Sequence, residues 1–146
     1  MTEPLRILVP TDDSPSALCA VDHVVGLAAR GLAIEVHLLN VQSPVRGTAA
    51  MLIARSSLDE YHREEGMKVL AHARGRLEQA GLPTHLHVGV GAPGETVLAF
   101  ARRLGCQQIV MGTRGMGGVA GMILGSVANR VVAQGELPVT LVRAQA

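Results

Sequence analysis

Apolar positions along the chain repeat with two periods, and the two alternate. Residues 5–10, LRILVP, form a short β-branched apolar run closed by a proline, the pattern of a buried strand. The following TDDSPSALCAVDHVVGLAARG changes to helical spacing, with Leu18, Val21, Val25 and Ala28 recurring until Gly31. Asp13 or Ser14 supplies a cap, and Pro15 suits the first helical position. In residues 33–41, AIEVHLLNV, Ile34, Val36 and Leu38 alternate with Glu35 and His37, which predicts a second strand. Residues 42–56 hold turn residues and an apolar patch, Met51 to Ile53, that fits a loop, a short helix or a lid equally well. A long helix over about residues 57–80 would present Leu58, Tyr61, Leu70, Ala73, Leu77 and Ala80 on one face until Gly81 and Pro83 stop it. A third strand, THLHVGV, covers 84–90, and a turn and helix follow in GAPGETVLAFARRLG. A fourth strand, QQIVMG, covers 107–112. After a glycine-rich segment come a helix of about 126–134 and a last strand, PVTLV, at 138–142.

Strands alternating with helices imply an α/β fold: a parallel sheet with right-handed crossovers and helices on both faces. The 146 residues fit one domain, 1–146, able to bury about two thirds of its unfolded surface. No internal repeat interrupts it.

Charge narrows the function. Thirteen basic and 12 acidic residues, scattered and netting +1, do not make a polyanion-binding surface, so nucleic acid is not an implied partner. The amino terminus has no basic region ahead of an apolar core, and no run of 18 apolar residues follows; a soluble, cytoplasmic protein with no membrane partner is expected. Cys19 and Cys106 lie far apart without metal-ligand spacing, which suits reduced, buried thiols.

In an open parallel sheet, ligands bind beyond the carboxyl ends of the strands where the strand order reverses. The first strand delivers PTDDS there. The fourth delivers MGTRGMGGVAGMILGS, Met111 to Ser126, with six glycines in sixteen residues. In a 3-2-1-4-5 order the two segments would face each other. Glycines allow backbone N–H groups to surround an anion, and the next helix adds its amino-terminal partial charge. Ser126, at the start of that helix, would either cap it or bond a phosphate oxygen. A flexible turn with tight helix–sheet packing accounts for the glycines equally well. The pattern GxxxxGK[ST] is absent, and the one lysine, Lys68, is remote; charge neutralisation falls to backbone dipoles, Arg114 or a metal ion carried by the ligand. GMGGVA matches GxGxxA at Gly115, Gly117 and Ala120 but follows the fourth strand, and Glu136 precedes its strand, so a dinucleotide site is poorly supported. Asp12 is placed to accept hydrogen bonds from a sugar or base, leaving Asp13 or Ser14 to cap.

Gly112-x2-Gly115-x9-Gly125-Ser126 reproduces without a gap the signature G-x2-G-x9-G-[ST] of the universal stress protein family, and the chain resembles that family throughout. ILVPTDDSPSA is similar to its opening strand and turn, HLLNV to its second strand, VGVGAPGETVLAFA to its third strand and G-x-P turn, and PVTLVR to its closing strand. The resemblance implies a Rossmann-like domain with a five-stranded parallel sheet, and the branch of the family that binds ATP. It also implies roles. The PTD segment, Pro10, Thr11 and Asp12, would meet adenosine, and the backbone at Val41 would meet adenine. Met111, Gly112, Gly115, Gly125, Ser126 and Val127 would meet ribose and phosphates. A part for Arg114 at the phosphates, and Mg2+ accompanying ATP, extend that reading. The family also implies a homodimer through the last strand, 138–143, which would otherwise be an exposed edge. Gly117, Gly118 and Gly121 fall in the variable spacer and are expected to give a mobile middle to the frame set by the signature glycines.

The first functional expectation is therefore an ATP-dependent switch or interaction module of the stress response, read by a protein partner. A weak ATP hydrolase or adenylylating enzyme is the alternative; Asp12 is the nearest acid, but its place is at the nucleoside, so hydrolysis would be slow at most. A structural dimer with an unused pocket is a third. Other features carry less. His85 and His87 share a strand face at a spacing that can hold a metal, yet no acid or third histidine is adjacent in sequence, and a polar strand face explains them. His23, His62 and His72 show no partner, GxSxG is missing, and Met51, Met116 and Met122 suit core filling or a partner surface.

Overall fold

Five parallel strands, β1 (Leu5–Pro10), β2 (Ile34–Gln42), β3 (Thr84–Val90), β4 (Gln108–Gly112) and β5 (Val139–Val142), pair in the order β3-β2-β1-β4-β5. The coordinates are a computed structural model and describe residues 2–115 and 124–144. The chain thus builds outward from β1 in one direction as far as β3, then crosses back to add β4 and β5 on the other side. Ile7, Leu8 and Val9 in β1 have no exposure at all, because helices cover both faces of the central strand.

Alternate β1 residues enter different cores. Ile7 and Val9 join Val36, Leu38 and Val110 beneath α1 (Pro15–Ala29) and α3 (Arg55–Gln79). Leu8 joins Leu39, Ile109 and Met111 beneath α4 (Pro93–Arg103) and α5 (Ser126–Gln134). The period of two along each strand, predicted for β2 from its alternation, is what divides these layers.

Two helix faces differ from the expected ones. In α1 the fully buried positions are Ser16, Ala17, Ala20, Val21 and Val24, whereas Leu18, Val25 and Ala28 are only half-buried at the margin of the same core. Small residues let the helix approach the sheet closely, and the larger apolar ones fill its flanks. In α3 the expected Leu70, Ala73 and Leu77 are buried, but the stripe continues through Gly66 and His62, not through Tyr61 and Leu58. Tyr61 is about half exposed at 51%. Gly66 faces β3 so closely that a Cβ would come within 2.5 Å of Val88 Cγ2. Ala80 is exposed at the end of the helix.

Residues 48–52 form a short helix, α2 (Thr48–Leu52), and Met51 and Leu52 on it point into solvent. Gly31 and Gly81, both at positive φ, lie just past the ends of α1 and α3. Both cysteines are free thiols; Cys106 is buried as expected, while Cys19 is only half-buried. Among the described residues no helix is long and apolar enough to cross a membrane.

Candidate functional site

Where β1 and β4 part, a cavity of about 480 Å³ opens at the carboxyl end of the sheet. It lies in the size range of small-molecule sites. Pro10, Thr11, Asp12 and Val41 line one side. Met111, Gly112, Arg114, Gly115, Gly125, Ser126 and Val127 line the other, so all the residues expected at a ligand share one wall or the other.

The acidic side is set by a short reversal of the chain. Thr11 N–H continues the ladder to Leu39 O at 2.8 Å, and Thr11 Oγ1 accepts Asp13 N–H at 3.1 Å. Asp12 Oδ1 accepts Ser14 N–H at 3.0 Å, closing a turn that Asp13 completes at φ 64. Asp12 Oδ2 lies against Gly115, where a Cβ would collide with it. Asp13 lies outside the cavity lining, with Oδ1 3.3 Å from His72 Nδ1, so a protonated His72 has an ion-pair partner that the sequence did not show. Ser14 is the cap of α1 and accepts Ala17 N–H at 3.3 Å, with Pro15 in the first turn. Of the two expected capping candidates, the structure selects Ser14.

Each signature glycine has its own physical reason. Gly112 rests on the first turn of α1; a Cβ there would meet Ser16 Oγ and the backbone of Ser16 and Ala17 at 2.7–2.8 Å. Ser16 Oγ, and Ser14 Oγ at 3.4 Å, donate to Arg114 O and fasten that helix to the exit of β4. Gly115 makes room for the Asp12 carboxylate. Gly125 is the cap residue of α5; its N–H donates to Thr113 O at 2.6 Å, and Thr113 N–H in turn donates to Val142 O at 3.0 Å. No side chain caps α5 and no acid lies in its first turn, so its amino-terminal N–H groups and partial positive charge remain for the cavity. The alternative of Ser126 as the cap is overturned, because Ser126 is already the first helical residue. Gly117, Gly118, Ala120, Gly121, Met116 and Met122 lie outside the described residues.

Asn40, Thr113, Leu39, Pro93 and Val97 also line the cavity and were not foreseen. Asn40 is buried; its Nδ2 donates to Thr11 O at 2.9 Å and its Oδ1 accepts Gln42 Nε2 at 2.6 Å, which joins the ends of β1 and β2. Its signal was a lone amide inside the apolar run LLNV. Pro93 and Val97 come from α4, and nothing local in the sequence shows that this helix borders the cavity. Leu39, Val41, Val97 and Met111 make part of the wall apolar. Among the described lining residues, Asp12 and Arg114 are the ionisable ones, and 116–123 contain no ionisable side chain.

A second polar group lies toward the other end of the sheet. β2 and β3 pair with His37 beside His85 and Leu39 beside His87, so Glu35, His37, His85 and His87 come together on one face. The acid and third histidine that are missing beside the pair in sequence are brought to it in space by this register. His37 bonds Glu35 Oε1 through Nε2 at 2.8 Å and His87 Nε2 through Nδ1 at 3.0 Å. The His37 hydrogen bond is the main reason the Glu35 carboxyl titrates below its ordinary value; burial opposes it, and the charges of His37, Arg6 and His85 assist. Burial, followed by the neighbouring His37, His85 and Arg103, lowers the His87 pKa.

The sequence profile of the universal stress protein family matches residues 5–143. Universal stress protein MJ0531 of Methanocaldococcus jannaschii is 33% identical over 94% of this chain and 81% of its own. Universal stress protein YxiE of Bacillus subtilis is 31% identical over 94% and 98%. The chain belongs to the universal stress protein family. Among solved structures, hypothetical protein MJ0577 of the same archaeon superposes with a TM-score of 0.84 at 28% identity, with 99% of each chain covered. A universal stress protein in complex with cAMP gives 0.71 at 23% identity, over 99% of this chain and 100% of its own. A family protein of Arabidopsis thaliana with AMP bound gives 0.70 at 18%, over 98% and 94%. The last two share the fold.

Proposed function

We propose that the cavity binds an adenine nucleotide, ATP accompanied by Mg2+, and that the protein is a nucleotide-dependent interaction module of the stress response, as its ATP-binding branch of the family would be. The observation that carries this reading is the convergence of a turned-in aspartate, an apolar slot and an uncapped helix amino terminus on one cavity. Adenine fits the slot at Val41, and Asp12 accepts the ribose hydroxyls. The phosphates fit against Gly112, Gly115, Gly125, Ser126 and the first-turn N–H groups of α5. Arg114, exposed at the rim, adds the one cationic side chain among the described lining residues. Mg2+ comes with the phosphates, since the protein offers one carboxylate there. Relatives of the same fold that hold cAMP and AMP support the adenine part.

With Asp12 committed to the ribose, no residue is assigned as general base, and hydrolysis is expected to be slow at most. Communication with a partner would run through the hydrogen bonds from Gly125 to Thr113 and from Thr113 to Val142, which join the phosphate wall to β5. β5 is an outer strand whose residues are half-buried, and a second copy pairing along 138–143 would satisfy its open edge. A cytoplasmic protein without nucleic-acid or membrane partners fits the balanced charge. The test is a thermal melt of the full chain with ATP and magnesium, with light scattering run alongside. The reading expects a rise in Tm that depends on ATP concentration, and a dimer. No rise up to millimolar ATP would refute it.

A further inference from the structure

We propose that Glu35, His37 and His85 form a binding site for a divalent ion of the zinc class, with His87 as the residue that orients His37. The donor set is one carboxylate oxygen and two imidazole nitrogens, and the imidazoles, as borderline ligands, suit zinc and its late first-row neighbours better than magnesium or calcium. One donor atom from each residue lies within 4.8 Å of the others. Glu35 Oε1 is 2.8 Å from His37 Nε2 and 3.6 Å from His85 Nε2. Donors around a tetrahedral ion, each ~2.0 Å from it, stand about 3.3 Å apart, so the group is near ligand spacing before any ion enters.

Burial is graded in the way such a site needs. His37 is buried, Glu35 is 24% exposed and His85 is 54% exposed, which gives a fixed base and an open entrance. His87 Nε2, 3.0 Å from His37 Nδ1, completes the arrangement: when Nε2 of His37 ligates, its ring proton resides on Nδ1 and is donated to His87. His87 is itself wedged against the Phe100 ring of α4, 6.0 Å between centroids. Three adjustments accompany binding. The ion displaces the Nε2 proton through which His37 bonds Glu35 Oε1. The His85 ring stacks on His37 at 4.7 Å and 16° and turns out of the stack to aim its nitrogen. Arg6 Nε, 3.7 Å from the same Glu35 oxygen, yields its place; its side chain is half exposed and free to do so. Three protein ligands leave the remaining position to water.

The experiment uses full-length protein without an affinity tag, stripped with a chelator and titrated with Zn2+ against a chromophoric competitor and with Co2+ by visible absorption. One ion per chain and the intense bands of low-coordinate Co2+ are expected. His85→Ala changes an exposed ring and spares the fold; it should weaken binding at least tenfold, as should Glu35→Gln, with far-UV circular dichroism and the ATP-induced melting shift unchanged. Absence of a stoichiometric Co2+ spectrum in the wild-type chain overturns the proposal. So does equal affinity in both variants, which would place the ion on other histidines.

Discussion

The two ends of this sheet carry polar chemistry built from opposite materials. At the carboxyl end, the cavity is framed largely by main chain: glycines, a helix amino terminus and the turn that aims Asp12. At the other, the group is all side chain, with Glu35, His37, His85 and His87 projecting from two neighbouring strands. A backbone site depends on close approach and tolerates no added atoms. A side-chain site depends on register, and losing one member leaves the chain path intact.

That contrast can be broken most severely at Gly112. Gly112→Val would drive a branched side chain into the backbone of Ser16 and Ala17, which cannot retreat without moving α1. Overpacking of this kind costs about 1–3 kcal/mol or more, and a Tm fall of roughly 3–10 °C is expected together with loss of the ATP response. Asp12→Ala removes the acceptor of Ser14 N–H, at a cost of about 1 kcal/mol, and should weaken ATP binding roughly 10–100-fold, the effect of about 1.5–3 kcal/mol for a charged hydrogen bond. Calorimetric titration measures it, and an undiminished affinity would remove Asp12 from the ribose. Ser14→Ala, by loss of the α1 cap, should cost about 1 kcal/mol in urea denaturation. ATP affinity should fall less than for Asp12→Ala, although Ser14 also borders the cavity.

The smallest expected effect lies near Glu35 and concerns Cys106. Burial pushes its thiol up to about 11, with Glu35 adding to the rise and Arg6 opposing it. The folded state favours the protonated thiol, so this contribution to stability is fully present below the unfolded pKa, ordinarily about 8.5. It is lost as pH rises toward 11. Cys106→Ala should therefore flatten the decline of stability across that alkaline window. In native protein at pH 8, iodoacetamide should label the half-buried Cys19 well before Cys106.

How much of this was legible follows from the same contrast. The strands and helices and the glycine frame were readable because each is encoded by local spacing: PTD after a strand, glycines at fixed intervals, serine opening a helix. The strand order and the residues of the cavity walls followed from the common arrangement of such sheets and from the family resemblance. The faces of α1 and α3 were misjudged where small or polar residues, Ala17, Ala20, His62 and Gly66, do the packing that larger apolar ones usually do. Glu35 and His37 were seen only as polar members of an alternating strand. Their meeting with His85 and His87 depends on the pairing of residues 37 and 85, a long-range fact that no local pattern holds. Pro93 and Val97 escaped for a similar reason, since the placement of α4 over the cavity is tertiary.

The crossing of the chain back over β1 also sets an order in time. β1, β2 and β3, and with them the four polar side chains, are complete once residue 90 has been made, whereas the cavity requires β4 and the start of α5 at residue 126. At a synthesis rate of about 5–20 residues per second, roughly 2–7 s separate the two. For the first part of that interval, until β4 is made at residue 112, β1 has one edge open, at the side where Ile7 and Leu8 will later pair with Gln108 and Ile109. A nascent chain arrested there would display its histidines and an unpaired central strand, a species for chaperones to shield, before it had the cavity.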